Sequence, residues 1–293
     1  MIETYLLEQL AVFAKCGTLS AAAQELHISQ PALSKSMQKL EQQLGITIFE
    51  RSKNRISLNE TGKLAAEQAE NMLASQREMI ERIKAFDRAR HTICLGSCAP
   101  VPVSDIVPLL SGLYKGMTIS AELKDSDEVL LEGLGRGMYQ MVVLHQEPEE
   151  EQELFVFPYR QEHLALLVPM QHPLAACKEL RLRDLRNQNL LIHTQIGFWG
   201  KLSREKLPTC HFLYMDEWDA YQQLSEAGSF PTFTTEAFAD SWSRSDKKVV
   251  PIVDDEVNVT YYFACSANDR HRFQPLIRQL QEKFSVTKDY DQF

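Results

Sequence analysis

The sequence has no long apolar run and no leader pattern. No segment of its 293 residues approaches the ~20 consecutive apolar residues that a membrane-spanning helix needs. The N-terminus, MIETYLLEQL, has no basic region followed by an apolar stretch and a cleavage site of small residues, as a secretion signal would. The sequence therefore predicts a cytoplasmic protein without a membrane partner.

Spacing patterns of common metal sites and catalytic sites are also missing. The six cysteines, at positions 16, 94, 98, 177, 210 and 265, never form C-x-x-C, so they indicate neither a zinc site nor a disulfide framework. The eight histidines include no H-E-x-x-H, and there is no G-x-S-x-G and no phosphate-binding glycine loop. We therefore predict no enzyme, no metal ion and no cofactor, with most cysteines in the core.

Charge is distributed unevenly along the chain. The formal net charge is −9, yet residues 1–90 hold 12 Lys and Arg against 11 Asp and Glu, while the remainder holds 19 against 29. Within residues 27–59, five basic residues stand against two acidic ones. A local basic face on an acidic protein is typical of a module that binds a polyanion.

Three short helices are predicted before residue 46. The segment IETYLLEQLAVFAKCG places its large apolar residues on one helical stripe and ends at Gly17. Ser20 is the expected N-cap of a second helix over AAAQELH. Ser29 is expected to cap a third helix, with Pro31 in its first turn and Gly45 after its end.

A basic hairpin is predicted next. In ITIFERSKNRISL, apolar and polar residues alternate on both sides of RSKNR, which is typical of two short strands with a basic tip. Two short helices joined by a tight polar turn must pack on the first helix to bury their apolar faces. With the hairpin, they predict a winged helix-turn-helix DNA-binding domain over residues 1–58.

Residues 59–89 are predicted to form one long helix that pairs with a second copy of itself. This segment has no proline, and its only glycine is near the start. Residues recur at alternating steps of four and three, which is the heptad seam of a coiled coil. The seam positions are Ala65, Ala69, Met72, Gln76, Met79, Ile83 and Phe86. We therefore expect a homodimer.

From about residue 90, short apolar runs alternate with helical patterns. The runs are TICLG, TISAEL, MVVLH, LALLVP, NLLIH, HFLYM, VVPIV and VTYYFAC. Alternating strands and helices with almost continuous apolar strands predict an α/β domain with buried, mostly parallel sheets.

The segment from residue 11 to residue 62 closely resembles the N-terminal signature of LysR-type transcriptional regulators. The matching positions are Phe13, Ala21, Ala22, Leu26, Ser29, Gln30, Pro31, Ala32, Ser34, Leu40, Glu41, Leu44, Gly45, Phe49, Arg51 and Gly62. Beyond residue 90 the likeness is weaker but has the right length and order, and it includes LVPMQHPLA at 167–175. Gln140 departs from the family pattern, because an aspartate is common there.

The resemblance implies a fold and a set of partners. The effector-binding domain, residues 90–293, would have two α/β lobes like those of periplasmic binding proteins. Lobe I would comprise about 90–160 and 267–293, and lobe II about 161–266. Such regulators bind promoter DNA as tetramers built from two dimers and are tuned by a small-molecule effector between the lobes. RNA polymerase is a further candidate partner.

The helix that begins at Ser29 is the predicted recognition helix. Gln30 and Ser34 lie one turn apart on a face that suits the major groove, where glutamine matches adenine and serine is less selective. The other candidates on this helix are Ser29, Pro31, Ala32, Lys35, Gln38 and Lys39. Arg51, Lys53 and Arg55 of the hairpin are expected to reach phosphates or the minor groove.

The effector is expected in the cleft between the lobes, at strand C-termini and helix N-termini. Ser97 and Cys98, which end a strand and precede a helix, could hold an anionic group together with nearby N–H groups. The other candidates are Ser126, His145, Thr194, Phe198 and Trp199. Two aromatic residues and no obvious arginine clamp favour a partly apolar effector.

Two other functions stay open from the sequence. A thiol-based redox-sensing regulator of the same family would use Cys94 and Cys98, although buried or pocket thiols are the simpler interpretation. A two-lobed enzyme is the second alternative, because the fold alone does not exclude catalysis. The basic N-terminal region and the missing motifs argue against it.

Overall fold

The computed structural model describes residues 2–52, 55–149, 153–228, 230–235, 237 and 246–284, and it describes Arg51, Ser52 and Arg55 by their backbone alone. The chain divides into two compact units, Met1–Lys84 and Ala85–Phe293. Within the described ranges, no helix combines the length and the apolar character that crossing a membrane requires.

The first unit begins with three helices and a hairpin, here called the head (residues 2–58). The helices are α1 (Thr4–Cys16), α2 (Leu19–Glu25) and α3 (Gln30–Leu44). The strands β1 (Phe49–Ser52) and β2 (Arg55–Leu58) pair antiparallel. Short helices are marginal alone, and these share one core in which Leu10, Phe13, Leu33, Leu40 and Ile48 are at most 1% exposed.

The predicted start and end of α3 are confirmed. The Ser29 hydroxyl accepts a hydrogen bond from the Ala32 N–H at 3.3 Å, and Pro31 lies in the first turn, where its missing N–H costs nothing. Gly45 ends α3 at φ 70°, and Gly17 ends α1 at φ 71°. Both conformations are left-handed, which glycine adopts without steric cost.

The predicted N-cap Ser20 is wrong. The Thr18 hydroxyl accepts the capping bond from the Ala21 N–H at 3.2 Å, so α2 begins at Leu19 and Ser20 lies inside it. The helix therefore begins two residues earlier than predicted, and the capping oxygen belongs to Thr18.

The hairpin is shorter than predicted. The backbone N–H groups of Ile48 and Phe49 donate to the Glu41 carboxylate at 2.8 and 3.2 Å, so a side chain of α3 takes the donors that a longer first strand would use. Strand β1 therefore begins at Phe49 and not at Ile46.

The long helix α4 (Glu60–Ala89) forms as predicted. Asn59 caps it, because its Oδ1 atom accepts from the Gly62 N–H at 2.7 Å. A Cβ atom at Gly62 would lie 2.1 Å from the backbone oxygen of Ile48, so only glycine lets this first turn approach the hairpin so closely.

The apolar seam of α4 divides into two parts. Ala69 is 2% exposed and belongs to the core of the head, and Ala65 packs against that core. These two residues of the predicted seam are therefore not available to a partner helix. Further along, Met72, Met79, Ile83 and Phe86 expose 55–76% of their surface. The available part of the seam therefore runs from Met72 to Phe86.

The second unit contains mixed sheet and flanking helices. Its strands are β3 (Thr92–Ser97), β4 (Thr118–Leu123), β5 (Met141–Leu144), β6 (Leu154–Pro169), β7 (Asn189–His193), β8 (His211–Met215), β9 (Thr232–Thr235), β10 (Lys247–Pro251) and β11 (Asn258–Ser266). Its helices are α5 (Pro100–Leu113), α6 (Asp127–Gly135), α7 (Phe198–Lys206), α8 (Trp218–Glu226) and α9 (Arg270–Lys283).

Two long strands run through both halves of this sheet. The order is β4-β3-β5-β11-β6-β9-β7-β8, with β10 beside β6. We use lobe I for β3–β5 with α5, α6 and α9, and lobe II for β7–β10 with α7 and α8. The ladders β3–β4, β3–β5, β7–β8 and β7–β9 are parallel, whereas the ladders of β6 and β11 are antiparallel. The predicted parallel sheet is therefore correct only inside each lobe.

Burial separates the strands into two kinds. Strands β3, β5 and β7 are buried along almost their whole length, as their apolar runs predict. Strands β4 and β8 lie at the two ends of the strand order and expose most of their residues. Strand β9 and helix α7 are not recognised in the sequence, and α7 turns out to position much of the candidate site.

Candidate functional site

One face of α3 is free of contacts with the core. Leu33, Met37 and Leu40 are buried, and their spacing leaves the opposite side of the helix to solvent. The exposed α3 face consists of Gln30, Pro31, Ala32, Lys35 and Gln38, with Ser34 half-buried beside them. The predicted recognition residues therefore share one accessible surface, and Ser29 caps its first turn.

Ser20 orients the amide of Gln30. Its hydroxyl donates to Gln30 Oε1 at 3.0 Å, which leaves the amide NH2 group as a donor. Sequence reasoning missed this role because it assigned Ser20 to a helix cap. The contact depends on how α2 and α3 pack, so no local pattern signals it.

Lys39 is engaged within the head. Its ammonium lies 2.7 Å from Glu3 Oε1 and 3.1 Å from the Tyr5 hydroxyl, and Gln43 donates to the other Glu3 oxygen at 2.7 Å. The bonds from Lys39 and Gln43 lower the pKa of Glu3 to about 2. A phosphate contact by Lys39 would have to compete with Glu3, and this contact stays a prediction.

The hairpin residues are described only in part. Lys53 lies outside the described residues. The backbone register places Arg51 opposite Ile56 and Arg55 opposite Ser52. DNA contacts by Arg51, Lys53 and Arg55 therefore stay predictions.

The two lobes touch where β3 ends and α7 begins. The Phe198 N–H donates to the Cys98 backbone oxygen at 2.8 Å. Gly197 precedes it at φ 63°, and a Cβ atom there would lie 1.8 Å from that oxygen. This contact requires glycine, both for its conformation and for the space.

Two grooves lie along different faces of α7, each of about 610 Å³. The acidic groove is lined by Asp125, Ser126, Asp127, Glu128, His145, Gln146, Glu147, Phe198, Lys201, Leu202, Glu205, Lys206, Glu256, Asn258, Val259, Thr260 and Tyr262. The Arg204 groove is lined by Val103, Ala121, Glu122, Leu123, Lys124, Asp125, Thr194, Gln195, Gly197, Gly200 and Arg204. Both have the size of small-molecule sites and take residues from both lobes.

The seven predicted effector residues do not form one site. Ser126, His145 and Phe198 line the acidic groove, and Thr194 lines the Arg204 groove. Ser97, Cys98 and Trp199 are buried and line neither groove. Their contact with an effector stays a prediction.

Few hydrogen-bond donors are available for the anion site that was expected at the start of α5. Pro100 and Pro102 occupy two of the first three positions of α5 and have no N–H group. The Ser97 hydroxyl is already used, because it donates to the Ala99 oxygen at 2.7 Å and accepts from the Ala99 N–H at 3.3 Å. These groups brace the turn between β3 and α5.

The Arg204 groove contains a cation that sequence reasoning missed. Lys124 is paired with Glu122 at 2.6 Å, whereas Arg204 makes no ion pair with any residue that the structure describes. The partly apolar effector, inferred from the lack of an obvious arginine clamp, stays a prediction. Arg204 was not considered for this site because α7 was not recognised as a helix.

In the acidic groove, His145 is held from two sides. Its Nδ1 atom lies 2.9 Å from Asp127 Oδ1, and its ring stacks on Phe198 of lobe II with centroids 4.3 Å apart and planes at 9°. The other Asp127 oxygen accepts from the backbone N–H groups of His145 and Gln146, both at 3.1 Å. Cys98, Asp127 and His145 each place one possible metal-ligand atom within 4.8 Å of the other two.

Burial raises the pKa of three groups inside the second unit. Burial raises the pKa of Glu162 to about 7, against the hydrogen bond from the Tyr261 hydroxyl. Burial also raises the pKa of Cys94 and, more strongly, that of Cys98. A reactive thiol needs a thiolate, so the redox alternative gains no support from these two cysteines.

Gln140, the departure from the family pattern, has a structural role. Its Oε1 accepts from the Cys94 N–H at 2.7 Å, and its Nε2 donates to the Gly137 oxygen at 3.4 Å. The side chain is 6% exposed and lines neither groove.

A winged helix-turn-helix head, a long helix and a two-lobed α/β unit with grooves along the lobe contact define the class of LysR-type regulators. Residues 5–63 match the family model for the bacterial regulatory helix-turn-helix protein, lysR family, and residues 87–285 match the LysR substrate binding domain. The chain belongs to the LysR family.

Individual relatives agree with this membership. A probable RuBisCO transcriptional regulator of Emiliania huxleyi is 30% identical over 174 residues, which cover 58% of this chain and 55% of the relative. The uncharacterized HTH-type transcriptional regulator YcgK of Bacillus subtilis (strain 168) is 32% identical over 171 residues, which cover 56% and 52%. The chain spans about half the length of both relatives in these matches.

The fold is shared with solved structures. A full-length variant of OxyR from Pseudomonas aeruginosa superposes with a TM-score of 0.51 at 21% identity, covering 96% of this chain and 100% of that one. At this level of identity the likeness concerns the fold alone.

Proposed function

We propose that this protein is a LysR-type, sequence-specific DNA-binding regulator of transcription, not an enzyme, whose activity is tuned by a small molecule bound between its two lobes. The observation that carries the proposal is the exposed α3 face, where polar side chains project from a helix whose other side is locked in the core. An α-helix of this kind fits the major groove of B-DNA.

Gln30 is the proposed centre of base recognition. With its carbonyl oxygen bound to Ser20, the amide NH2 group can donate to an acceptor such as a purine N7. Ser34 lies one turn further on, and Pro31 and Ala32 offer small apolar surface to a thymine methyl group. Lys35 and the basic hairpin would meet phosphates, which add affinity without sequence preference.

Pairing of two chains would supply the second half-site. The exposed part of the α4 seam, from Met72 to Phe86, is an unpaired apolar stripe of the length and spacing that a two-stranded coiled coil uses. Two heads would then read half-sites about 34–36 Å apart. Tetramers built from two dimers, a contact with RNA polymerase and a cytoplasmic location are carried over from the family.

The Arg204 groove is the proposed effector site. Arg204 and Thr194 come from lobe II and Lys124 from lobe I, so a bound molecule would contact both lobes. The Arg204 guanidinium, which pairs with no carboxylate in the described part of the chain, suits a carboxylate or phosphate group of the ligand. Such a ligand acts by stabilising one arrangement of the lobes over another.

The DNA-binding proposal is tested with the full-length protein and an operator selected from random duplexes. Gln30→Ala should reduce the affinity ratio between this operator and a single-base mismatch by about tenfold, since one good base contact contributes roughly 1–3 kcal/mol of discrimination. Gln42→Ala, an exposed glutamine further along α3, is the matched control. Unchanged discrimination in Gln30→Ala, or failure to select any sequence, contradicts the proposal.

A further inference from the structure

Three side chains that are distant in the sequence meet at one edge of lobe I. Cys98 follows β3, Asp127 begins α6 and His145 follows β5. Strands β3 and β5 are parallel neighbours, so their carboxyl ends lie at the same edge. Each of the three residues offers one ligand atom within 4.8 Å of the other two. We propose that Cys98, Asp127 and His145 bind a divalent transition-metal ion of the Zn²⁺ type.

The ligand set selects the kind of ion. A thiolate, an imidazole and a carboxylate are the three ligand types that Zn²⁺ takes in proteins, whereas Mg²⁺ and Ca²⁺ prefer oxygen alone. Tetrahedral bonds of about 2.0–2.3 Å place ligand atoms about 3.5 Å apart, so the cluster has to contract by about 1 Å. Three protein ligands leave a fourth position open to water or to another ligand.

Asp127 is already oriented for this task. One of its oxygens accepts from the backbone N–H groups of His145 and Gln146 at 3.1 Å, and the other lies 2.9 Å from His145 Nδ1. An ion that binds this oxygen and His145 Nδ1 replaces the hydrogen bond between them. The carboxylate therefore needs no new backbone geometry to take part in the site.

The electrostatic surroundings favour a cation. The acidic groove, which contains Asp127 and His145, also carries the carboxylates of Asp125, Glu128, Glu147, Glu205 and Glu256, against the ammonium groups of Lys201 and Lys206. Lys206 is paired with Glu256 at 2.7 Å, so Lys201 is left to balance the other carboxylates, and the groove keeps an excess of negative charge. A groove of one dominant sign raises the local concentration of ions of the opposite sign.

Two of the three ligands also contact lobe II. The Cys98 oxygen accepts from the Phe198 N–H at 2.8 Å, and the His145 ring stacks on the Phe198 ring at 4.3 Å. An ion that draws His145 toward Cys98 shifts its ring relative to Phe198 at the start of α7. Metal binding therefore favours a different lobe arrangement. This regulatory step rests on the proposed function, whereas metal binding itself does not.

The experiment titrates the reduced full-length protein with Co²⁺, which replaces Zn²⁺ in such sites and gives a thiolate-to-cobalt charge-transfer band in the near ultraviolet. We expect one equivalent of Co²⁺ per chain and a band that Zn²⁺ abolishes by displacement. Cys98→Ser should remove the band. Cys94→Ser, which removes a buried thiol of β3 outside the cluster, should keep it.

His145→Gln provides a second variant in case Cys98→Ser does not fold. It should keep a thiolate band but lower the Co²⁺ affinity at least about tenfold, with near-ultraviolet circular dichroism as the check on folding. Absence of the band in the unsubstituted protein, its retention in a folded Cys98→Ser variant, its loss in Cys94→Ser, or an unchanged affinity in His145→Gln overturns the proposal.

Operator binding is measured in parallel, first in a chelator and then with Zn²⁺. A Co²⁺ band without selective DNA binding means that the proposed function is wrong and the metal site is supported. Selective DNA binding without a band means that the metal site is wrong and the proposed function is supported. When both are present, we expect Zn²⁺ to change operator affinity at least about threefold, and to leave that of His145→Gln unchanged. An equal response of the two proteins overturns the regulatory step.

Discussion

The head and the lobed unit use their polar residues in opposite ways. On the exposed α3 face, the polar side chains project into solvent, and Gln30 is oriented by the Ser20 hydroxyl. At the lobe contact, the Ser97 hydroxyl braces a turn and His145 is held by Asp127 and Phe198. A DNA-binding surface of this kind is the exposed face of one helix. A small-molecule site is a concavity, and only those polar groups that make no hydrogen bond within the protein are available there to a ligand.

The largest expected effect concerns the exposed apolar seam of α4 in the first unit. Replacing Met79 and Ile83 of α4 by glutamate should weaken dimerisation at least about ten-thousandfold, because four apolar side chains of the pair, each contributing roughly 1.5–3 kcal/mol, lose their burial. Sedimentation equilibrium measures the change. Ala74→Glu, exposed but off the seam, should leave the dimer intact. Equal dimerisation of both variants would show that α4 is not the interface.

The stability of the two units is expected to depend on pH in opposite ways, because of one carboxyl group in each. Burial raises the pKa of Glu162 to about 7, so between pH 4.5 and 7 the folded lobes hold a proton that the unfolded chain has released. The stability of the lobed unit should therefore fall by an amount on the order of 3 kcal/mol as pH rises through this window, and stay level above it. Glu3 of the head, whose pKa is lowered to about 2 by Lys39, acts oppositely and loses its contribution as pH falls from 4.5 through 2.

Urea unfolding followed by tryptophan fluorescence isolates the Glu162 effect, because all three tryptophans, at positions 199, 218 and 242, belong to the second unit. Glu162→Gln, which keeps an acceptor for the Tyr261 hydroxyl, should remove the loss of stability between pH 4.5 and 7. Glu205→Gln, an exposed carboxyl group, should retain it. A slope that survives in Glu162→Gln assigns the effect to another group.

An intermediate effect is expected at the lobe contact. Gly197→Ala should destabilise the lobed unit by about 1–3 kcal/mol, because a Cβ atom would lie 1.8 Å from the Cys98 oxygen in a backbone region reserved for glycine. The same fluorescence assay measures it. At Gly135 an added Cβ meets nothing within 4 Å, so Gly135→Ala should not destabilise. An unaltered midpoint in Gly197→Ala would mean that the lobes adjust at no cost.

The smallest expected effect is in the head. Ser20→Ala frees the Gln30 amide, which should lower operator discrimination by about threefold to tenfold, in line with the roughly 0.5–1.5 kcal/mol of one hydrogen bond. Fluorescence anisotropy with the operator and a mismatched duplex measures it. Ser36→Ala on α3 is the control for a change of serine to alanine in the same unit. If the two variants behave alike, Ser20 does not position Gln30.

Much of the head could be predicted because its signals are local. The apolar spacing, the Ser29 cap and the glycines at 17 and 45 each act over a few residues, and the structure confirms them. The errors occurred where a different side chain took the hydrogen bond. Thr18 took the cap expected of Ser20, and Glu41 took the backbone donors expected in the hairpin.

The lobes could be predicted as strands and helices but not as sites. The runs that became β3, β5 and β7 were recognised from their apolar residues alone, and the structure buries them. Helix α7 was missed, because its nine residues carry a mixed pattern without a capping side chain. With it, the position of Arg204 and the two grooves along α7 were missed as well.

The amino-acid order by itself determined the winged head, the long helix and the face that α3 turns outward, because a helical period and its caps act within single elements. Only the tertiary structure decided that Cys98, Asp127 and His145 meet and that Arg204 lines a groove between the lobes. Residues separated by dozens of positions become neighbours through the alignment of parallel strand ends, and that alignment depends on the packing of the whole sheet.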